Sequence, residues 1–503
     1  MFNLVTYPVL MLLCYFVYHI AAGDRAYPKI PVIGKRRGEW SSRPAQLRYL
    51  RSARQLIAEG LEKHKGHPFQ IFTGLGPTII LPPSFLNEVK DDPRFTMTKF
   101  LDKWFFPDYP GFWTYGTCNI DEYHMNLQLI RVHLNRSLSQ LTAPLSAEAA
   151  YAVPKALPPP PEQGEWRESV LYAAIVDLIS RLTARVVMGE GLCRDEQWLQ
   201  VSRTYTTVGY NAVRALRLCP PALRRCMFWV LPATRALRRQ YAMCARLIEG
   251  HRARERTAAA ARGVRVEAEG DEKLDYIHWV EAEAARTGRP YDLVRGQLGF
   301  VVAVMHTMSA LLTNIMFDLC ARPEYVELLR QEIRGVTGGS GLLDAKTQLH
   351  QLKLMDSFMK ESQRLAGGNY FINNRGLEDD VVLSDGSVLP KASIVATPAI
   401  VKGFYEDEGT FDGHRFVRLA EKTGSPGQWS FVNTSTEQLG FGLGAHACPG
   451  RFFASNQLKI ALVHLLLKYD WKLPIGGQRP AAVQVGHESI PDREATVFYK
   501  IHS

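Results

Sequence analysis

Residues 441–450 read Phe441-Gly442-Leu443-Gly444-Ala445-His446-Ala447-Cys448-Pro449-Gly450. Glycines at 442, 444 and 450 permit backbone angles and close approaches that a side chain would block. Pro449 stops the chain from folding back over the sulfur. Gly450 opens a helix whose apolar positions run through Leu458, Leu462 and Leu465. Cys448 therefore sits at a helix N-terminus, where unpaired N–H groups and the helix dipole favour a thiolate. A lone thiolate in a backbone cradle, with no second sulfur beside it, suits a single axial bond to a planar metal cofactor. The plainer alternative is a buried structural cysteine, the usual fate of a single Cys. A Phe-x-x-Gly-x-x-x-Cys-x-Gly string is too long for chance to be a good account of it.

The rest of the chain is consistent with such a site. Its 503 residues are 46% apolar and 22% charged, ordinary globular usage that excludes a disordered or collagen-like chain and leaves room for an enclosed cofactor. Eight cysteines lie scattered with no C-x-x-C pair, which excludes a disulfide scaffold and a zinc ribbon and points to a reducing compartment. The formal charge of +10 fits an anionic partner. The basic, alanine-rich stretch 251–273 has no interleaved aromatic residues, so it reads as a solvated helix and loop, and no nucleic-acid partner is expected.

Phe2 to Ala22 contains no Asp, Glu, Lys or Arg and matches the thickness of a bilayer core. A cleaved signal peptide is the alternative, but no basic residue precedes the apolar run. The charge follows it, at Arg25, Lys29, Lys35, Arg36 and Arg37, which predicts a retained single-pass anchor with the body in the cytosol. Three parts are expected: an anchor over 1–22, a Pro-rich hinge over 23–45 and a catalytic domain over 46–503.

Within the body the pattern is mainly helical with a small β component. Arg48–Lys65 reads as an amphipathic helix, and 70–74 and 78–81 as two strands around Gly76-Pro77. Lys99–Thr117 reads as an irregular loop whose rings (Trp104, Phe105, Phe106, Tyr109, Phe112, Trp113, Tyr115) fill the core or line an apolar pocket. Pro158–Pro161 is a connector, and 381–389 a hairpin around Ser384-Asp385-Gly386. Tyr291–Ala321 is the longest expected helix. Its span Gly296–Phe317 is uncharged but broken by Gln297, His306, Thr307, Thr313 and Asn314, which suits burial in protein better than a second membrane crossing.

The 441–450 segment resembles the haem-binding loop of the cytochrome P-450 family, the haem-thiolate monooxygenases. By that resemblance Cys448 is the ligand of the haem iron, with Phe441, Gly444 and Gly450 shaping the loop and His446 near a haem propionate. Lys360-Glu361-Ser362-Gln363-Arg364 supplies the family's Glu-x-x-Arg, and Phe411-Asp412-Gly413-His414-Arg415-Phe416 its later arginine. Glu361, Arg364 and Arg415 are then expected to form a buried charge network supporting the loop. Ala303-Val304-Met305-His306-Thr307 resembles the stretch that bulges around dioxygen, with Thr307 as the threonine beside oxygen. Val304 replaces the usual glycine and His306 the usual acid. A neutral imidazole can still relay protons, or His306 can simply hydrogen-bond within the core. Arg131 takes the place of the propionate-binding arginine, although Leu127 stands where the family carries tryptophan.

The resemblance implies the P-450 fold, haem b as cofactor, and oxidation of C–H bonds with O2. Electrons would come from NADPH through the separate NADPH–cytochrome P-450 reductase, since no dinucleotide fingerprint or flavin segment follows the haem region. His306-Thr307 also resembles a fungal secondary-metabolism branch that includes diterpene oxidases. It implies an apolar, terpenoid-like substrate and a location in the endoplasmic-reticulum membrane. A haem-thiolate isomerase or dehydratase needing no reductase, and a non-catalytic haem-binding homologue, are the alternatives.

Overall fold

The computed structural model describes residues 11, 13–15, 17, 25–115, 120–162, 164–219, 221–261, 274–366, 370–399 and 404–502. The principal helices are α1 (Arg43–His64), α2 (Met97–Phe105), α3 (Asn135–Ala156), α4 (Leu171–Val187), α5 (Glu196–Leu218), α6 (Pro232–Ala261), α7 (Tyr276–Thr287), α8 (Leu293–Ala321), α9 (Glu324–Thr337), α10 (Lys353–Ala366), α11 (Arg415–Thr423) and α12 (Arg451–Lys468). Asp side chains start three of them. Asp195, Asp275 and Asp292 accept from the backbone N–H three residues on, at 2.9, 3.1 and 3.0 Å, satisfying donors that a helix start leaves unpaired.

Strands β1 (Val32–Ile33), β2 (Phe69–Thr73), β3 (Gly76–Ile80), β4 (Phe95–Thr96), β5 (Phe371–Leu377) and β6 (Ile394–Pro398) make one sheet in the order β1-β2-β3-β6-β5-β4. Near the C-terminus β7 (Val483–Val485) and β8 (Glu488–Ile490) pair antiparallel. The 381–389 hairpin is present, with Gly386 at φ +82° in its turn.

The long apolar helix is an interior one. α8 packs against α4, α5, α10 and α12. Its buried side includes Leu298, Phe300, Met305, Met308, Leu312, Ile315, Met316 and Phe317. Among the described residues it is the only helix long and apolar enough to cross a bilayer, and 61% of its most apolar window is buried inside the protein. α6, at 30 residues, exceeds its 29.

One expectation is corrected. Met97–Phe105 is helical rather than loop, because Pro107 and Pro110 fall after it and Phe106 ends it at φ 45°. Of the rings over 99–117, Phe105, Phe112 and Tyr115 are buried and Trp104, Phe106, Tyr109 and Trp113 half-buried; Phe105 lies 5.0 Å from Tyr115, and the Tyr115 hydroxyl donates to the Tyr205 carbonyl at 2.9 Å. The Pro-rich segment joins the body early. β1 runs parallel to β2, and the buried Gln70 side chain bonds the backbone of Tyr27 and Ile30, so the chain from Tyr27 onward is stitched to the body. Of the expected anchor only Met11, Leu13, Cys14, Tyr15 and Val17 are described; they are helical and exposed, and the remainder lies outside the described residues. So does 262–273 of the basic stretch, whose earlier part is the end of α6.

Candidate active site

The site begins with the loop that leads into α12. Gly442 (φ +76°) and Gly444 (φ +65°) take left-handed backbone that side-chain-bearing residues avoid. At Gly444 a Cβ would stand 2.7 Å from both the Asp91 carboxylate and the Lys90 carbonyl, so only glycine lets the loop dock there. Four bonds then brace it. The Ala445 N–H donates to Asp91 at 2.7 Å, Arg131 donates to the Ala445 carbonyl at 3.1 Å, the Cys448 N–H donates to the Phe441 carbonyl at 2.7 Å, and Arg451 donates to the Cys448 carbonyl at 2.9 Å. Gly450 caps α12, and its N–H reaches the Cys448 sulfur. Phe441 packs edge-on against Phe431 at 5.1 Å.

The helix N-terminus does not by itself hold Cys448 as a thiolate. Burial pushes the thiol up, against the smaller opposing pull of the Gly450 N–H and Arg451. A metal cation on the sulfur reverses that balance, since a coordinating thiol is deprotonated outright.

Behind the loop the structure brings Glu361, Arg364 and Arg415 together. Glu361 is fully buried on α10, and Arg364 grips its carboxylate with two bonds of 2.8 Å. Arg415 adds a third at 3.1 Å and the Asp412 N–H a fourth at 3.0 Å. Spare guanidinium donors go to the carbonyls of Glu406, Glu408 and Thr410. A buried carboxylate so thoroughly bonded is compensated for desolvation, and it ties α10 to α11 and the chain before it. α10 also meets the ligand loop directly: Gln363 packs so closely on Gly440 that a Cβ there would lie 2.2 Å from it.

α8 packs against α12, the helix that follows the loop. Phe300 touches Phe453 of α12 with ring centroids 5.9 Å apart, and Ala303 and Thr307 continue the same face at i+3 and i+7. They are the only exposed residues in the whole of α8. An otherwise half-buried or buried helix thus bares two small side chains beyond its contact with α12, the helix that Cys448 precedes. One sulfur ligand, with no cluster of three or more metal-ligating side chains among the described residues, suits a cofactor that brings its own equatorial ligands. These residues fit a haem.

Thr307 shares its hydroxyl proton with the carbonyls of Ala303 at 2.9 Å and Val304 at 3.1 Å. The expected bulge is absent; α8 runs through the Ala303–Thr307 turn as regular helix. His306 faces elsewhere. Its Nδ1 is 3.1 Å from the Tyr172 hydroxyl and its Nε2 is 3.3 Å from the Thr207 hydroxyl. Burial, helped by Arg493, pushes its pKa down to about 4. With that pKa the half-buried ring is neutral near pH 7.

His446 is also held below its ordinary pKa. Burial lowers its pKa, and Arg375 and Arg131 lower it further. The positive charge at this end of the loop belongs to those two arginines. Arg131 reaches the loop from the π-helical turn Leu129–Leu134 despite the missing tryptophan. Arg375 escaped the sequence reading. It sits on β5 at a break in the pairing with β6, where the register shifts between Ile372 and Arg375 and Asn373 adopts φ 51°. The Asn373-Asn374 pair was the available signal, because asparagine tolerates that conformation and strand bulges re-aim side chains.

The family model Cytochrome P-450 matches residues 289–487, which span α8, the Glu361 network and the Cys448 loop. Cytochrome P-450 monooxygenase hepE of Aspergillus oryzae is 37% identical over 435 residues, covering 85% of this chain and 78% of its own length. The chain belongs to the cytochrome P-450 family. Cytochrome P-450 monooxygenase easM of Aspergillus fumigatus is 35% identical over 494 residues, covering 96% of this chain and 92% of its own. Cytochrome P-450 monooxygenase 1 of Gibberella fujikuroi is 36% identical over 420 residues, covering 82% and 92%. This P-450 is thus a haem- and O2-using monooxygenase of the fungal secondary-metabolism type, an oxygen-incorporating oxidoreductase acting on a small molecule.

Proposed function

We propose that this P-450 oxidises C–H bonds of an apolar, terpenoid-like intermediate, with electrons from NADPH delivered by NADPH–cytochrome P-450 reductase. The observations that support the reading are the braced Cys448 loop at the start of α12 and the bared Ala303–Thr307 face of α8, which packs on that helix through Phe300 and Phe453. Cys448 holds the iron, while Phe441, Gly444 and Gly450 keep its loop in shape. Arg131 and Arg375 receive the haem propionates beside His446. Haem bound in this way supplies activation of dioxygen and insertion of one oxygen atom into the substrate. Thr307 orients the oxygen side with its hydroxyl, and the apolar side chains of α8 keep bulk water away from it. Glu361, Arg364 and Arg415 support the ligand loop and take no part in the chemistry.

The basic balance of the chain favours an acidic flavoprotein as electron donor. Residues 1–22 anchor the protein in the endoplasmic-reticulum membrane, with the body in the cytosol and the 23–45 segment leading into the catalytic domain of 46–503. Expression with a reductase in a terpenoid-producing host, followed by metabolite profiling, tests the proposal. A new oxygenated product that requires NADPH supports it. Turnover without NADPH would assign the chain to haem-thiolate isomerisation or dehydration instead. Deleting residues 1–22 is expected to release the protein from membranes with its haem retained.

A further inference from the structure

We infer that His306, the residue standing where the family carries an acid, is a positioning residue: with Tyr172 and Thr207 it forms a strut that fixes the roll of α8 and so the place of Thr307. The inference rests on the monooxygenase reading of the site and assigns roles to Tyr172 and Thr207, neither of which the ligand loop or the charge network involves.

The geometry is that of a cross-brace. Tyr172 is the second residue of α4 and Thr207 lies mid-way along α5; each brings a hydroxyl to one ring nitrogen of His306, at 3.1 and 3.3 Å. A neutral imidazole has one N–H and one lone pair on its ring nitrogens, so one hydroxyl donates and the other accepts. Tyr172 is itself held, being buried and having the Arg493 guanidinium 5.1 Å over its ring. Three helices and the chain after β8 therefore meet at one ring. Tyr172 and Arg493 are the charged or titratable groups facing it, and the positive charge of Arg493 disfavours a proton on the imidazole.

Nothing in this array reaches the oxygen side. The Thr307 hydroxyl is bonded to the carbonyls of Ala303 and Val304, and the partners of His306 are Tyr172 and Thr207. Thr307 is nevertheless the next residue on the helix. A roll of α8 by about 10° carries a side-chain oxygen at its surface through about 1 Å, and a misplacement of that size is costly to a reaction that depends on orientation. Packing against α4, α5, α10 and α12 sets the roll of α8 coarsely, and the strut adds the directional bonds nearest Thr307.

The test compares coupling, product formed per NADPH consumed, in His306→Ala, His306→Gln, Tyr172→Phe and Thr207→Val, each first shown to retain the thiolate-type carbon monoxide spectrum. The strut predicts that His306→Ala loses coupling roughly fivefold, the scale of one hydrogen bond. Tyr172→Phe combined with Thr207→Val should reproduce that loss, with no further loss when His306→Ala is added. His306→Gln, whose amide both donates and accepts but does not titrate, should restore most of the coupling, and the solvent isotope effect on kcat should match wild type in every variant. If His306→Gln is as uncoupled as His306→Ala and the isotope effect rises in both, His306 is a proton carrier and the inference is overturned. It is equally overturned if the Tyr172 and Thr207 changes leave coupling untouched. Loss of all NADPH-dependent product in the wild type would instead refute the underlying monooxygenase reading.

Discussion

Around Cys448, side chains from four places converge on one short loop: Asp91, Arg131, Arg451 and, through Gly440, Gln363. On the opposite wall Thr307 bonds only to the carbonyls of its own helix, and His306 beside it makes two contacts of 3.1 and 3.3 Å. The ligand loop is over-determined, whereas the oxygen side is poised by a few bonds. The contrast has a physical basis. A single bond to a metal demands that one atom be held in place, so redundancy costs nothing there. The opposite wall must admit a substrate and release a product, so close bracing of the kind seen at Gly444 would fill the space they need.

The largest effect should come from removing the support beneath the loop. Glu361→Ala strips the carboxylate from the buried Arg415 and the partly buried Arg364, a loss of about 3–5 kcal/mol for a broken buried pair, and folded haem protein should be nearly absent from expression. Normal haem content in that variant would mean the loop stands without its brace. Thr307→Ala comes next and sharpens the other half of the comparison. Haem incorporation should be unchanged while NADPH consumption is diverted from product to peroxide, and tight coupling in the variant would remove Thr307 from the oxygen side.

Acid should act more gently, through the fold as a whole. His306, His464 and His487 are each pushed by burial from 6.5 to about 4. Because the folded state holds them neutral, the unfolded chain takes up protons that the folded one refuses as pH falls below 6.5. Stability is therefore full above pH 6.5 and is lost toward pH 4, by about 1.4 kcal/mol per pH unit for each group within that window. Denaturant midpoints measured between pH 7 and 4.5 should fall steadily. A His306→Gln variant should show a shallower fall, and an identical slope would show that His306 titrates alike in both states.

The two walls were also unequally legible. The ligand loop could be read because glycine spacing, a proline and one sulfur lie within ten consecutive residues, and Glu361 and Arg364 lie one helical turn apart. Their third partner, Arg415, is 54 residues from Glu361 and was found only through the family resemblance. The role of His306 depends on Tyr172 and Thr207, 134 and 99 residues away, which no local spacing reveals. Arg375 depends on a strand irregularity, and local reading places strand breaks poorly. The aromatic segment is legible in its second half, which is irregular, but not over 97–105, because the prolines at 107 and 110 end the helix before them rather than prevent it.

The central claim is that Cys448 is the one protein ligand of the iron. The most direct measurement is the carbon monoxide difference spectrum of the reduced, purified protein beside Cys448→Ser. The wild type should give the thiolate-type band and the variant should lose it entirely, and a variant whose spectrum matches the wild type would place the ligand elsewhere.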